Sequence, residues 1–410
     1  MLGCATVLTF EADGRLGTYA NPYAFNFGYI QNTLLNEGWT WYSSYVELNG
    51  ANGLQMMENG LGQNGLMIKS QSDGFVTYDE FWMGSLQAVN SESMYLVNVG
   101  VPTVLSMAAN FVAPAQHPIT LAPGWTWMGY PMASAADIED AFANLTPVDN
   151  DMVKSQRGFA TYAEGIGWVG SLNTLTPGAG LMYHSLNNQP QTFAYSEGAK
   201  GVELRENLTA EGNRYMPQVS AYPHNMNMVA VVELEGVEAR DIELELSAFV
   251  GNECRGSIRL LYVEALDRYL AFLTVSGNEA GTLTMRLVDA ETGMEYESEQ
   301  QFEFEPDAIL GTVKQPVVLR FNTVVTQCES YLSQFELYPN PVKGNEMLRL
   351  NMPVDKEVRV ELVNALGATV STETVTSFPA SLKAPKTPGV YTVKVTSADK
   401  GCQSYKLIVR

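Results

Sequence analysis

His117, His184 and His224 are the only imidazoles in this 410-residue chain. None has a partner at the spacing of a catalytic triad or a zinc site. His117 and His224 each adjoin a proline, and His184 follows Tyr183 in a stretch that reads as a strand. No GxSxG elbow, HExxH helix or phosphate loop occurs. The run Gly60-Leu61-Gly62-Gln63-Asn64-Gly65 lacks the Lys-Ser/Thr that grips phosphate, and reads as a turn. Asp149-Asn150-Asp151 is the nearest approach to a calcium loop and lacks the remaining ligands. Carboxylate pairs of the glycosidase type are many in an acidic chain, and no spacing singles one out. Cys4, Cys254, Cys328 and Cys402 are far apart in sequence. They read as free, buried thiols, which an oxidising location could pair in ways the sequence does not specify. No catalytic residue, cofactor site or metal ligand follows, so the expectation is a protein that is not an enzyme.

The aromatic set is more pointed. All six tryptophans, Trp39, Trp41, Trp82, Trp125, Trp127 and Trp168, lie in an internal repeat. Copy one runs Gly38-Trp39-Thr40-Trp41, Met67-Ile68-Lys69-Ser70-Gln71, Gly74-Phe75-Val76-Thr77-Tyr78 and Trp82-Met83-Gly84-Ser85-Leu86. Copy two runs Gly124-Trp125-Thr126-Trp127, Met152-Val153-Lys154-Ser155-Gln156, Gly158-Phe159-Ala160-Thr161-Tyr162 and Trp168-Val169-Gly170-Ser171-Leu172. In a strand, residues i and i+2 share a face, so Trp39 and Trp41 point together, as do Trp125 and Trp127. Four such rings could form a platform on which sugar rings stack. The favoured reading is two equivalent small cores, because a repeated core requires the same tryptophans twice. Lys69 and Lys154 would then line a site or stand as exposed edge residues.

These blocks need elements to position them. Strand-like patterning and a helix over Ala135–Leu145, with Ser134 as N-cap and Ile138, Phe142 and Leu145 on one face, make each copy a small α+β unit. About four strands and one helix are expected in each. The division expected is a remnant over 1–29, copy one over 30–115, copy two over 116–196, a β-sandwich over 200–325 and a tail over 334–410. Strands are expected at Met228–Leu234, Leu244–Val250, Tyr269–Val275 and Thr282–Val288, with a turn over Gly251–Gly256 braced by Arg255. The fold class is mainly β with minor α, in several domains.

The tail opens on Leu337-Tyr338-Pro339-Asn340-Pro341-Val342 and closes on Lys406-Leu407-Ile408-Val409-Arg410. Between lie Val358-Arg359-Val360-Glu361-Leu362, Asn364-Ala365-Leu366-Gly367 and Pro388-Gly389-Val390-Tyr391-Thr392-Val393. This order of elements resembles the C-terminal sorting domain of the type IX secretion system in Bacteroidetes. The resemblance implies an immunoglobulin-like β-sandwich and handling by the type IX secretion machinery. It also implies export across the outer membrane, then removal of the tail as the protein is joined to a surface lipopolysaccharide. It points to Pro339, Asn340, Pro341, Gly367, Gly389, Tyr391 and Lys406 to Arg410 as a recognition surface. The upstream Gly-Trp-x-Trp repeat and the Ala248–Gly256 wording are similar to modules that accompany such tails, whose own roles are not characterised.

Charge agrees with a boundary before the tail. The whole chain is at -21. From Leu332 onward it holds ten Lys/Arg against seven Asp/Glu, so the acidity resides upstream. So acidic a body excludes a nucleic-acid partner, which needs clustered cations. No segment reads as a transmembrane helix. Met1–Phe10 lacks the basic start and apolar core of a signal peptide, so the chain is expected to be part of a longer protein or a shortened gene product. Two functions fit. The first is an exported surface protein serving adhesion, binding of a glycan or of a host or community protein, or a spacer role. The second is the accessory end of a secreted peptidase or glycoside hydrolase whose catalytic domain lies elsewhere.

Overall fold

A computed structural model describes residues 28–196, 204–234, 236–321, 336–351, 357–364, 369–397 and 401–410. Nearly all of the expected N-terminal remnant, together with Gly367, Cys4 and Cys328, lies outside the described residues. The protein is mostly β and divides into two compact units, Met1–Thr323 and Val324–Arg410.

In copy one an antiparallel sheet of five strands runs in the order Gly38–Tyr42, Tyr95–Val99, Gly65–Lys69, Phe75–Asp79, Phe81–Gly84. Its inner face places Tyr42, Ile68, Val76 and Val97 against the helix Gly50–Leu61, which buries Leu54, Met57 and Leu61. Those positions recur at helical spacing, which turns one apolar stripe to the core. The expected turn over Gly60–Gly65 is instead the last turn of this helix and a 3-10 turn, Gly62–Asn64. Gly62, at φ 52°, ends the helix where a side chain would be strained.

Copy two repeats the sheet: Gly124–Met128, Leu181–Ser185, Met152–Lys154, Phe159–Ala163, Gly167–Gly170. The expectation of four strands omitted the returning strand from each sheet. The expected long helix shrinks to one turn, Ile138–Ala141. Asp137, not Ser134, caps it, accepting from the Glu139 amide at 3.0 Å. Ala136 and Asp137 are already paired with Leu175 and Thr174, so the helix cannot begin earlier. Leu145 N–H bonds to Phe142 C=O, an i to i−3 closure that tightens the exit. Ile138, Phe142 and Leu145 are nonetheless all buried.

The sandwich packs a four-stranded sheet, Glu253–Arg259, Leu244–Val250, Gly281–Asp289 and Glu295–Phe304, on a six-stranded one built around His224–Leu234 and Arg268–Gly277. Met226, Met228, Ala230 and Val232 point into its core. Val229 and Val231 point the other way and pack with Phe159 and Met152 of copy two. Strand His224–Leu234 is therefore buried on both faces, which explains its unbroken apolar run. The turn expected over Gly251–Gly256 is shorter, because Glu253 already begins a strand. Gly256 is required there: a Cβ would lie 2.2 Å from the Thr274 carbonyl oxygen. Arg255 sits over the Tyr222 ring at 3.9 Å and pairs with Glu253 at 3.3 Å. Cys254 is free and half-buried, and burial pushes its thiol up to about 11.

The second unit is a smaller β-sandwich. Its three-stranded sheet is Glu336–Tyr338, Met347–Asn351 and Ala380–Lys383, and its four-stranded sheet is Thr369–Val375, Val358–Asn364, Gly389–Ser397 and Gly401–Val409. Leu348, Leu350, Val360, Val393 and Val395 lie in the core between them.

Candidate functional site

The repeated motifs meet where the two copies join. Gln71 of copy one donates Nε2–H to the Trp125 carbonyl at 2.8 Å and accepts from the Trp127 amide at 2.8 Å. Gln156 of copy two does the same to copy one: Nε2–H to the Trp39 carbonyl at 2.8 Å, and the Trp41 amide to Oε1 at 3.3 Å. Each Lys-Ser-Gln loop thus offers a primary amide as a substitute sheet partner to the edge strand of the other copy. Beneath the clamp, Trp41, Trp127, Met94, Leu96 and Met182 form one buried cluster against which Trp39 and Trp125 pack.

This corrects the platform reading. Trp41 is 2% exposed and Trp127 9%, so neither offers a ring to a ligand. Trp39 and Trp125 are half-buried. Nor do the six tryptophans form two separate cores. Trp168 and Trp82 do pack into the cores of their own copies, but the other four lie across the junction. The alternation of a strand sends Trp39 and Trp41 to the outer face, where the second copy covers them.

Lys154 is neither an edge residue nor the lining of an open site. It is fully buried and donates to Asp307 at 2.7 Å and to the Asn225 carbonyl at 3.2 Å. Its ammonium lies 4.3 Å from the centre of the Trp125 ring and 5.7 Å from that of Trp41. Burial lowers its pKa to about 8, against the opposing pull of the Asp307 carboxylate. Lys69, its counterpart, is half-buried. Among the described residues of the first unit, Lys69 and Arg157 are the cations with no ion pair.

His117 contacts Glu92 at 2.6 Å, and His184 lies against the Trp125 ring. Burial lowers the pKa of both His184 and His224. Asp151 is buried and accepts from the Tyr183 hydroxyl and the Leu186 amide, each at 2.7 Å. Asp149 pairs with Lys314. Among the described residues no group of three His, Cys, Asp or Glu could hold a metal ion, and no helix is long and apolar enough to cross a membrane. A cavity of about 310 Å³ opens beside Trp39, Gln156 and Arg157.

In the tail, the Pro-Asn-Pro segment pins the final strand. Asn340 donates to the Lys406 carbonyl at 2.7 Å and accepts from the Ile408 amide at 2.9 Å. The Val342 amide donates to the Ile408 carbonyl, and the Arg410 amide returns to the Val342 carbonyl. Both X-Pro bonds, Tyr338–Pro339 and Asn340–Pro341, are cis. Tyr391 donates its hydroxyl to the Thr387 carbonyl at 2.8 Å.

Residues 336–410 match the family model described as the secretion system C-terminal sorting domain. The tail is a type IX sorting domain. Its presence implies a Bacteroidetes origin, handling by the type IX secretion machinery, and export to the cell surface or beyond. Not all of the expected recognition residues of this sorting domain face outward. Leu407, Val409 and Tyr391 are buried, because alternate residues of a strand turn to the core. Pro339, Asn340, Pro341, Gly389, Lys406, Ile408 and Arg410 are exposed.

No curated protein matches the chain in sequence. Two solved structures are similar over long stretches. One is titled "Crystal structure of DIP-gamma IG1+IG2", 12% identical, covering 46% of this chain and 97% of that one, with a TM-score of 0.11. The other is titled "Biofilm associated protein - BSP domain", 11% identical, covering 93% of this chain and 63% of that one, with a TM-score of 0.16. At such scores neither carries an argument about this protein.

Sequence reasoning missed Gln71 and Gln156 as the clamp, and Asp307 and Asn225 as the partners of Lys154. The one signal available was that glutamine recurs after Lys-Ser in both copies.

Proposed function

We propose that residues 28–321 form a non-catalytic body displayed outside the cell, that it serves adhesion or the binding of a glycan or protein, and that the sorting domain is removed as the body is joined to a surface lipopolysaccharide. The observation that carries this reading is the fate of the repeated polar residues. Gln71 and Gln156 hold the copies together and Lys154 ties copy two to the sandwich, so the most distinctive side chains of the body serve its rigidity. The cavity beside half-buried Trp39 and exposed Arg157 is the candidate ligand site, within the range usual for small-ligand pockets.

Two measurements test it. Shaving intact cells with protease should release the body from wild type, whereas a chain lacking 388–410 should stay protected inside the outer membrane. Surface exposure of that shortened chain would refute the delivery step. On a glycan array, Trp39→Ala and Arg157→Gln should lose at least tenfold in whatever glycan the wild type retains. Shortening of a retained glycan during incubation would show an enzyme instead.

A further inference from the structure

The outer sheet faces of the two copies carry corresponding residues in the same register. In copy two the face consists of Met152, Lys154, Phe159, Thr161, Ala163 and Val169, and the sandwich strands bearing Val229, Val231 and Phe272 cover it. In copy one the matching positions are Met67, Lys69, Phe75, Thr77, Asp79 and Met83. Phe81 extends this face, opposite Asp79. No described segment covers it: Phe75 is 44% exposed, Phe81 59% and Met83 49%. The sandwich stops next to this face, with His224 close enough to Lys69 for the ammonium to disfavour its protonation. The bare face is thus continuous with an established internal interface, and it exposes Phe75, Phe81 and Met83 side by side.

The charges on it say which partner. In copy two, the sandwich supplies the carboxylate that Lys154 needs, from Asp307. In copy one, Lys69 has no ion pair among the described residues, and neither has Asp79, which stands where copy two has buried Ala163. The face therefore holds its own cation and its own complementary anion, on adjacent strands at opposite ends of the patch. We propose that this face binds the same face of a second copy of this chain, as a two-fold symmetric dimer. A two-fold axis lying in the interface, across the strands, sets Lys69 over Asp79 of the second copy and Asp79 over its Lys69. The same rotation brings Phe75 over Phe81 and Met83 of the second copy. The crossing this requires is close to the roughly 30° of aligned sheet packing. The three strands, of five, five and four residues, make a face of about 15 Å by 16 Å, a contact of the small, transient class. On a cell surface, the same contact made between neighbouring cells would be adhesive, but the dimer itself does not depend on that reading.

Sedimentation velocity on the full chain, from high nanomolar to high micromolar, tests this. Wild type should pass from monomer to dimer. Lys69→Glu and Asp79→Lys should each remain monomeric, because each places like charges together twice. Mixing the two variants should restore a dimer, since Lys69 of one then meets Asp79 of the other and Glu meets Lys at the second pair. That restoration also shows that both variants fold. A wild type monomeric throughout, a dimer indifferent to both substitutions, or variants that fail to associate when mixed would each overturn the proposal.

Discussion

Phe75 and Phe159 occupy the same place in the two copies, yet the first is 44% exposed and the second fully buried. The same holds for their neighbours: Lys69 is half-buried and has no ion pair among the described residues, where Lys154 is fully buried and paired. The inner faces do not differ in this way, since each carries its own core. What separates the copies is the sandwich, which docks on one outer face and leaves the other. A repeated sequence therefore specifies the sheet, its register and the reciprocal glutamine clamp, while the surroundings decide whether an identical residue is core or surface.

The sharpest way to break this comparison is to truncate the paired phenylalanines. Phe159→Ala should cost about 3–5 kcal/mol in urea denaturation, as large-to-small core substitutions do. Phe75→Ala should cost under about 1 kcal/mol in the monomer. Equal losses would mean that the sandwich does not cover copy two.

A smaller effect comes from Lys154. Its folded pKa, about 8, lies below its unfolded value of 10.5. A depressed lysine means that the unfolded chain holds the extra proton between those values, so stability rises with pH across that window. From pH 8 to pH 9.5 the Lys154 contribution should be about 1.5 kcal/mol, read as the difference between wild type and Lys154→Met, because the raised Cys254 thiol pulls the other way in both. Lys154→Met should remove this rise, and Lys69→Met serves as the control in copy one. The same pH dependence for wild type and Lys154→Met over that range would contradict burial of a charged Lys154.

Smallest, and symmetrical, is the clamp. Gln71→Ala and Gln156→Ala each remove two hydrogen bonds to an edge strand and should each cost about 1–2 kcal/mol. Matching losses sharpen the pseudo-two-fold reading. A loss at one position alone would show that only one arm of the clamp holds.

Much of this architecture could be read from local patterning. The strand alternation that paired Trp39 with Trp41 also places Lys69 and Phe75 on one face, and the tail announced its sorting family in its own residues. Three features were beyond local reading. The helix after Ser134 was overdrawn because the pairing of Ala136 with Leu175, far along the chain, competes with it. The role of Gln156 depends on a strand 117 residues away. The burial of Lys154 depends on a carboxylate 153 residues away, which no periodicity reveals. Leu407 and Val409 were legible in principle, since period-two alternation through Lys406–Arg410 already separates core from surface.

The asymmetry between the copies is the centre of this account, and hydroxyl-radical footprinting of the intact chain at submicromolar concentration reads it directly. Phe75, Phe81 and Met83 should be oxidised readily, while Phe159 and Met152, which are 0% and 1% exposed, should be protected. Comparable modification of Phe75 and Phe159 would contradict it.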